Sequence, residues 1–166
     1  YRITGTLSGL SQGGLLYYRY ANLKASDYLT AWVNHLIMCC AKPDGCTSRT
    51  VYVGRDKVLV LGDAGNPAER LDELLRLYIE AHYGPVFFIP DVSLEYTRTI
   101  MASKGDAIHN AKVIWEGNDF NNIPGAKDDP YTRLLYRGID DPLKSSFEKI
   151  SVDVFGPMFE AMERQT

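Results

Sequence analysis

No aspartate or glutamate occurs before Asp27. The first 26 residues carry Arg2, Arg19 and Lys24, three positive charges with no acid to offset them. A site built from this segment alone has no carboxylate for general acid–base work or for holding a hard divalent cation. Cysteine is scarce as well: Cys39, Cys40 and Cys46 are odd in number, two are adjacent, and no C-x-x-C occurs. With His35, His82 and His109 scattered along the chain, that pattern is neither a disulfide framework nor a zinc site. Free thiols suit a reducing compartment, so a cytoplasmic location is expected. Long apolar runs are missing too. The longest, Leu36 to Ala41, falls far short of the roughly 18 residues that read as a membrane span. No signal-peptide pattern stands at the amino end, and the chain opens on Tyr1, so a segment of a larger protein is expected. A strong basic excess is also lacking. The net charge is -3, whereas an autonomous nucleic-acid binder is usually strongly basic. The acidic surplus lies late, with 11 bases against 17 acids in residues 66–166.

Against these absences, 45% of the 166 residues are hydrophobic and 23% are charged, which excludes disorder as the main state and predicts a single domain over 1–166 with a sizeable core. Residues 2–20 read as a β-hairpin, with Ile3, Gly5 and Leu7 on one strand, Gly9 to Gly14 at the turn, and Leu15 to Tyr20 on the other. On that second strand Leu15, Tyr17 and Arg19 share one face, and Leu16, Tyr18 and Tyr20 share the other. One face is expected to be core and the Tyr17/Arg19 face to be the one that meets a ligand. Leu29, Trp32, Val33, Leu36, Ile37 and Cys40 recur at helical spacing and predict a helix over about 27–41, capped by Ser26, with Asp27 on the amino-terminal dipole.

Two short strands are predicted at Thr50–Val53 and Lys57–Leu61, then a helix opened by Asn66-Pro67 and Glu69 and closed by Gly84-Pro85. Val86–Ile89 is either a buried strand or an extended anchor between two prolines. Helical tendency follows over 93–115 with a break at Gly105, a long loop over 117–129, a short helix over 130–136 and a last helix over 143–162 that Gly156-Pro157 should bend or split. The order gives an α/β or α+β domain with a helical tail.

Chemical motifs are sparse. The glycines between Gly9 and Gly14 form no G-x-x-x-x-G-K-[ST], and a strand follows them, so they are a turn and not a phosphate loop. His35 has no carboxylate at ligand spacing and reads either as a polar group facing out or as a satisfied boundary histidine. Asp128-Asp129 and Asp140-Asp141 each precede a helix start, where carboxylates cap backbone N–H groups.

The ordered set Ile3-Thr4-Gly5-Thr6-Leu7-Ser8, Gly14-Leu15-Leu16, Leu29 to Leu36, Pro85 to Pro90, Trp115 to Asn118 and Asp129 to Leu134 resembles the C-terminal domain family of RecC, the gamma subunit of bacterial exodeoxyribonuclease V (RecBCD). The resemblance implies a PD-(D/E)xK nuclease-like sheet flanked by helices. Active members of that fold carry G-x-[IL]-D on one strand and [DE]-x-K on the next, then a helix, and the carboxylates hold Mg²⁺. Here Ser8 stands where the first acid belongs, and Tyr17, Tyr18 and Arg19 stand where the second acid and the lysine belong. The resemblance therefore implies a nuclease fold without nuclease chemistry, no metal site and no cofactor of its own, Mg²⁺ and ATP belonging to partner subunits. It also implies the RecB and RecD subunits and DNA as partners, no membrane, and a scaffolding and DNA-guiding part in double-strand-break repair and recombination. Arg2, Tyr17, Arg19 and Lys24 are the candidate DNA or partner contacts. The alternatives are an active Mg²⁺ nuclease drawing on Asp56, Asp63 or Glu95, and a protein-interaction module with no DNA contact.

Overall fold

The computed structural model describes residues 2–144 and 146–163. Among the described residues the chain is mixed α/β, with a four-stranded sheet, a two-stranded ribbon and six α-helices. It divides into two compact units, Tyr1–Glu73 with Glu160–Thr166, and Leu74–Phe159. Among the described residues, no helix is long and apolar enough to cross a membrane.

The first unit holds the sheet, in the order β1 (Leu10–Ser11), β2 (Gly14–Tyr18), β3 (Thr50–Val53) and β4 (Val58–Leu61). The pairs β1/β2 and β3/β4 are antiparallel, β2/β3 is parallel, and helix α1 (Ala25–Ala41) makes the crossover that a parallel pair requires. The hairpin expected over residues 2–20 forms only near its turn. Residues 2–8 are irregular, and the first strand is two residues long. Gly9 is the reason. It sits at φ 76°, and a Cβ there would lie 2.4 Å from the Leu16 carbonyl oxygen, so the chain leaves the ladder at that point. The far edge of β2 is already occupied by β3.

The register sorts the side chains into two layers. Leu15, Thr50 and Leu61 form one row and Tyr17, Tyr52 and Leu59 the next, all on the face that α1 covers. Leu15, Thr50, Leu59 and Leu61 are no more than 1% exposed. Leu16 with Val51 and Val60, and Tyr18 with Val53 and Val58, point the other way. The buried stripe of α1 is Tyr28, Ala31, Trp32, His35, Leu36 and Cys39, turned from the apolar stripe read in the sequence, so Cys39 faces in and Cys40 out. Hydropathy placed His35 at the boundary. The sheet takes it inside because it supplies hydrogen-bond partners for both ring nitrogens.

Helix α2 (Pro67–Glu80) begins as the Asn66-Pro67 signal requires, with Asn66 Nδ2 bonded to Glu69. In the second unit α3 (Pro90–Ala102) and α4 (Ala107–Glu116) replace the single interrupted helical stretch, separated where Gly105 takes φ 78°. Val86–Ile89 is not a strand. It is an anchor: the Tyr136 hydroxyl donates to the Val86 carbonyl at 2.7 Å, and Ile89 enters a core with Val92, Tyr96, Ala111, Tyr136 and Phe147. The stretch read as a loop over 117–129 contains a ribbon of β5 (Gly117–Asn118) and β6 (Ile123–Pro124) with two short 3₁₀ turns. Asp129 caps α5 (Pro130–Leu135) by accepting from the Thr132 N–H.

The last helix, α6 (Phe147–Ala161), starts later than expected, and Ser145 lies outside the described residues. Pro157 does not split it. The hydrogen bond that proline removes is offset by burial of Val154, Phe155 and Met158 around it.

Trp32 is the largest fully buried side chain of the first unit, 1% exposed. Trp32→Ala is expected to lower unfolding stability by about 3–5 kcal/mol, read from the denaturant midpoint at unchanged slope. A loss below about 1 kcal/mol would contradict the packing assigned to α1.

Candidate functional site

Because β2 and β3 are parallel and α1 connects them, the carboxyl ends of both strands and the amino end of α1 meet at one rim. The chain between β2 and α1 is stapled there. Arg19 N–H donates to the Val53 carbonyl, Arg55 N–H to the Ala21 carbonyl, and Leu23 N–H to Asp56 Oδ1. The Asp56 bond is one cause of its lowered carboxyl pKa, together with Lys57 Nζ at 3.2 Å.

Asp27 is the centre of this rim. Arg19 Nη1 lies 2.8 Å from its Oδ1 and 2.7 Å from its Oδ2, the Tyr52 hydroxyl donates to Oδ1 at 3.0 Å, and the Lys24 N–H donates to Oδ2 at 2.8 Å. The residue is only 7% exposed. Burial pushes its carboxyl up, but the Arg19 guanidinium and the bonds from Lys24 and Tyr52 outweigh burial and hold it below the ordinary carboxylate value. Burial and the hydrogen bond to this anion raise the Tyr52 phenol. Tyr17 lies beside the cluster, its ring 5.5 Å from that of Tyr52 and its hydroxyl accepting from Asn34 Nδ2 at 3.0 Å.

The sequence-derived candidates are therefore not on one open surface. Arg2 is exposed in the irregular segment, and Lys24 is exposed at the start of α1. Tyr17 and Arg19 face α1 and make internal bonds, the reverse of the face expected to be free. Leu16, Tyr18 and Tyr20 are on the side that α1 does not cover. Ser8 is exposed and on no strand, because the chain has left the ladder at Gly9. Residues Ile3–Leu7 instead border a cleft of about 700 Å³ with Asn34, Ile37, Cys40, Ala41 and Leu71.

Asp27 and Tyr52 are the residues that sequence reasoning missed as site members. The available signal was positional: the first acid of the chain follows a lone strand arginine by eight residues. The other acids considered have local partners. Asp63 accepts from the Gly65 N–H, and Glu95, in the second unit, pairs with Arg98 at 2.7 Å. Among the described residues no group of three or more His, Cys, Asp or Glu is placed to hold a metal ion.

Deeper in the same layer His35 is fully buried. Its Nε2–H donates to the Gly62 carbonyl at 2.8 Å, and its Nδ1 accepts from the Thr50 hydroxyl at 2.9 Å. The Gly62 carbonyl requires a proton on Nε2, and burial, which penalises the charged ring, lowers the imidazole pKa against the opposing pull of Gly62.

A hairpin, a helical crossover and a parallel strand, organised around a buried carboxylate that holds structure, define an α/β domain whose polar rim is built for position. The family model of the RecC C-terminal domain matches residues 1–101, more than half of the chain. The chain belongs to that family, which is part of the exodeoxyribonuclease V (RecBCD) complex of DNA repair and recombination. Comparison with curated proteins gave no match.

The His35 geometry sets a pH dependence. Its folded pKa is lowered, so below about 6.5 the unfolded chain takes up a proton that the folded chain refuses. Stability is full above that value and falls as pH drops toward the folded midpoint. Denaturant midpoints from about pH 7.5 to about 5.5 are expected to decline, and His35→Gln to remove that part of the slope. A flat profile in the unsubstituted chain would contradict the neutral buried imidazole.

Proposed function

We propose that this chain is a non-catalytic scaffold and DNA-guiding domain of the exodeoxyribonuclease V assembly, working in the cytoplasm beside the RecB and RecD subunits and carrying no metal or nucleotide of its own. Family membership supports the setting. The order of hairpin, helix and parallel strand supports reading the first unit as a degenerate nuclease-like sheet. The observation that carries the loss of chemistry is the engagement of Asp27. It is the first carboxylate after the hairpin, and it is bound by Arg19, Tyr52 and the Lys24 N–H. A carboxylate neutralised by an arginine is a poor ligand for Mg²⁺, and a serine hydroxyl at position 8 does not replace a second anionic one.

Guidance of DNA, in this reading, is a matter of few contacts. With Arg19 committed to Asp27, Arg2 and Lys24 are the exposed cations of the acid-free segment. Two phosphate contacts on single-stranded DNA give a slope of log affinity against log salt of roughly -1.4. Duplex opening and cutting then belong to the partner subunits.

Two measurements on the purified chain test this. Linear DNA with Mg²⁺ or Mn²⁺ is expected to stay intact, and single-strand binding to be weak, with the shallow slope above reduced further in Lys24→Ala. Divalent-dependent cleavage that Asp56→Ala or Asp63→Ala abolishes would establish the nuclease alternative. A slope several times steeper would show a basic surface that these two residues do not account for.

A further inference from the structure

The rim of the first unit leaves two tyrosine rings in water. The Arg19 N–H bonds to the Val53 carbonyl one residue past β2, and the alternation of the strand continues with it. Tyr17 and Arg19 turn to α1, and Tyr18 and Tyr20 turn away, 83% and 95% exposed. The backbone beneath them is held on both sides of Tyr20, by the Arg19 bond to Val53 and by the Arg55 N–H on the Ala21 carbonyl. Rings on a fixed backbone lose little freedom when a ligand meets them.

An exposed aromatic pair fits a protein or a nucleic acid, and the charge around it chooses. The carboxylates of the rim are engaged, Asp27 by Arg19 and Asp56 by the Leu23 N–H and Lys57. Lys24 and Arg55 are exposed and, among the described residues, paired with no carboxylate. Arg55 Nε donates to Asn22 Oδ1 at 3.1 Å, which fixes its guanidinium beside the tyrosine-bearing loop. Aromatic rings next to cations, with no acid left uncompensated, are what holds a single strand: bases stack on the rings, an arginine plane adds a further flat surface, and a lysine meets phosphate. A duplex keeps its base faces covered, so these rings select an unpaired strand. We propose that Tyr18 and Tyr20 are a stacking platform for single-stranded DNA, with Arg55 as a third flat surface and Lys24 on the phosphates. The proposal rests on the DNA-guiding reading given above and names the place where the strand is held.

The test uses the full chain and a thymidine oligomer carrying bromodeoxyuridine. Under ultraviolet light the oligomer is expected to crosslink to Tyr18 or Tyr20. Tyr18→Ala and Tyr20→Ala combined are expected to weaken binding of the plain oligomer at least tenfold, stacking being worth about 5- to 160-fold per base. The salt slope and the melting temperature should stay unchanged, and Tyr20→Trp should retain binding. An abasic strand of equal length keeps the phosphates and offers nothing to stack, so the chain and its double variant should bind it alike. A double variant that binds the plain oligomer as well as the unsubstituted chain, or crosslinks confined to other residues, overturns the proposal and leaves the DNA-guiding reading standing. A double variant that keeps DNA binding but loses RecB or RecD assigns the rings to a protein contact and overturns it too. Unsubstituted chain that binds no single strand, alone or in the assembled complex, removes the DNA-guiding reading and this proposal with it.

Discussion

The ion pair between Arg19 and Asp27 joins the end of β2 to the first turn of α1, and the Tyr52 hydroxyl ties β3 to the same carboxylate. A parallel pair of strands is held only if its crossover helix is fixed at the right height above both, because nothing local connects the strands. Asp27 fixes that height at the amino end of α1. Near the middle of the helix His35 repeats the device with Thr50 and Gly62. The apolar contacts of Trp32 and Leu36 then fill the space between these two polar anchors. A buried charge is tolerated here because every side of it is occupied by a donor. Removal of one donor leaves an anion with incomplete compensation, and this makes the cluster sensitive to single substitutions.

The same bonds bear on function. Asp27 is the first carboxylate of the chain and lies in the first turn of α1, after the hairpin. In this chain the group is committed to holding the crossover. The run 2–8, carrying Ser8, is irregular and on no strand.

Much of the fold is legible from residue spacing. The β3–β4 hairpin, α1, α2 and the short α5 follow directly from alternation, capping residues and Pro/Gly punctuation. Three features are not. The alternation of Ile3, Gly5 and Leu7 predicts a strand, but a ladder needs a partner, and Gly9 turns the chain away from β2. The inward turn of His35 depends on hydrogen-bond partners 15 and 27 residues distant, which no local pattern encodes. Which side of the sheet α1 covers is a tertiary choice that the symmetric alternation of β2 leaves undetermined. For the same reason the site residues read from the hairpin divide. Arg2 and Lys24 are exposed, while Tyr17 and Arg19 belong to the interior network.

The central claim, that Asp27 is a structural anion and not a metal ligand, is tested most directly by following the Asp27 carboxyl carbon by NMR through an acid titration, with and without millimolar Mg²⁺. The account expects a midpoint below the ordinary carboxylate value of 3.8, unmoved by Mg²⁺ and raised in Arg19→Met. A midpoint at or above that value, or one that Mg²⁺ shifts, would contradict it.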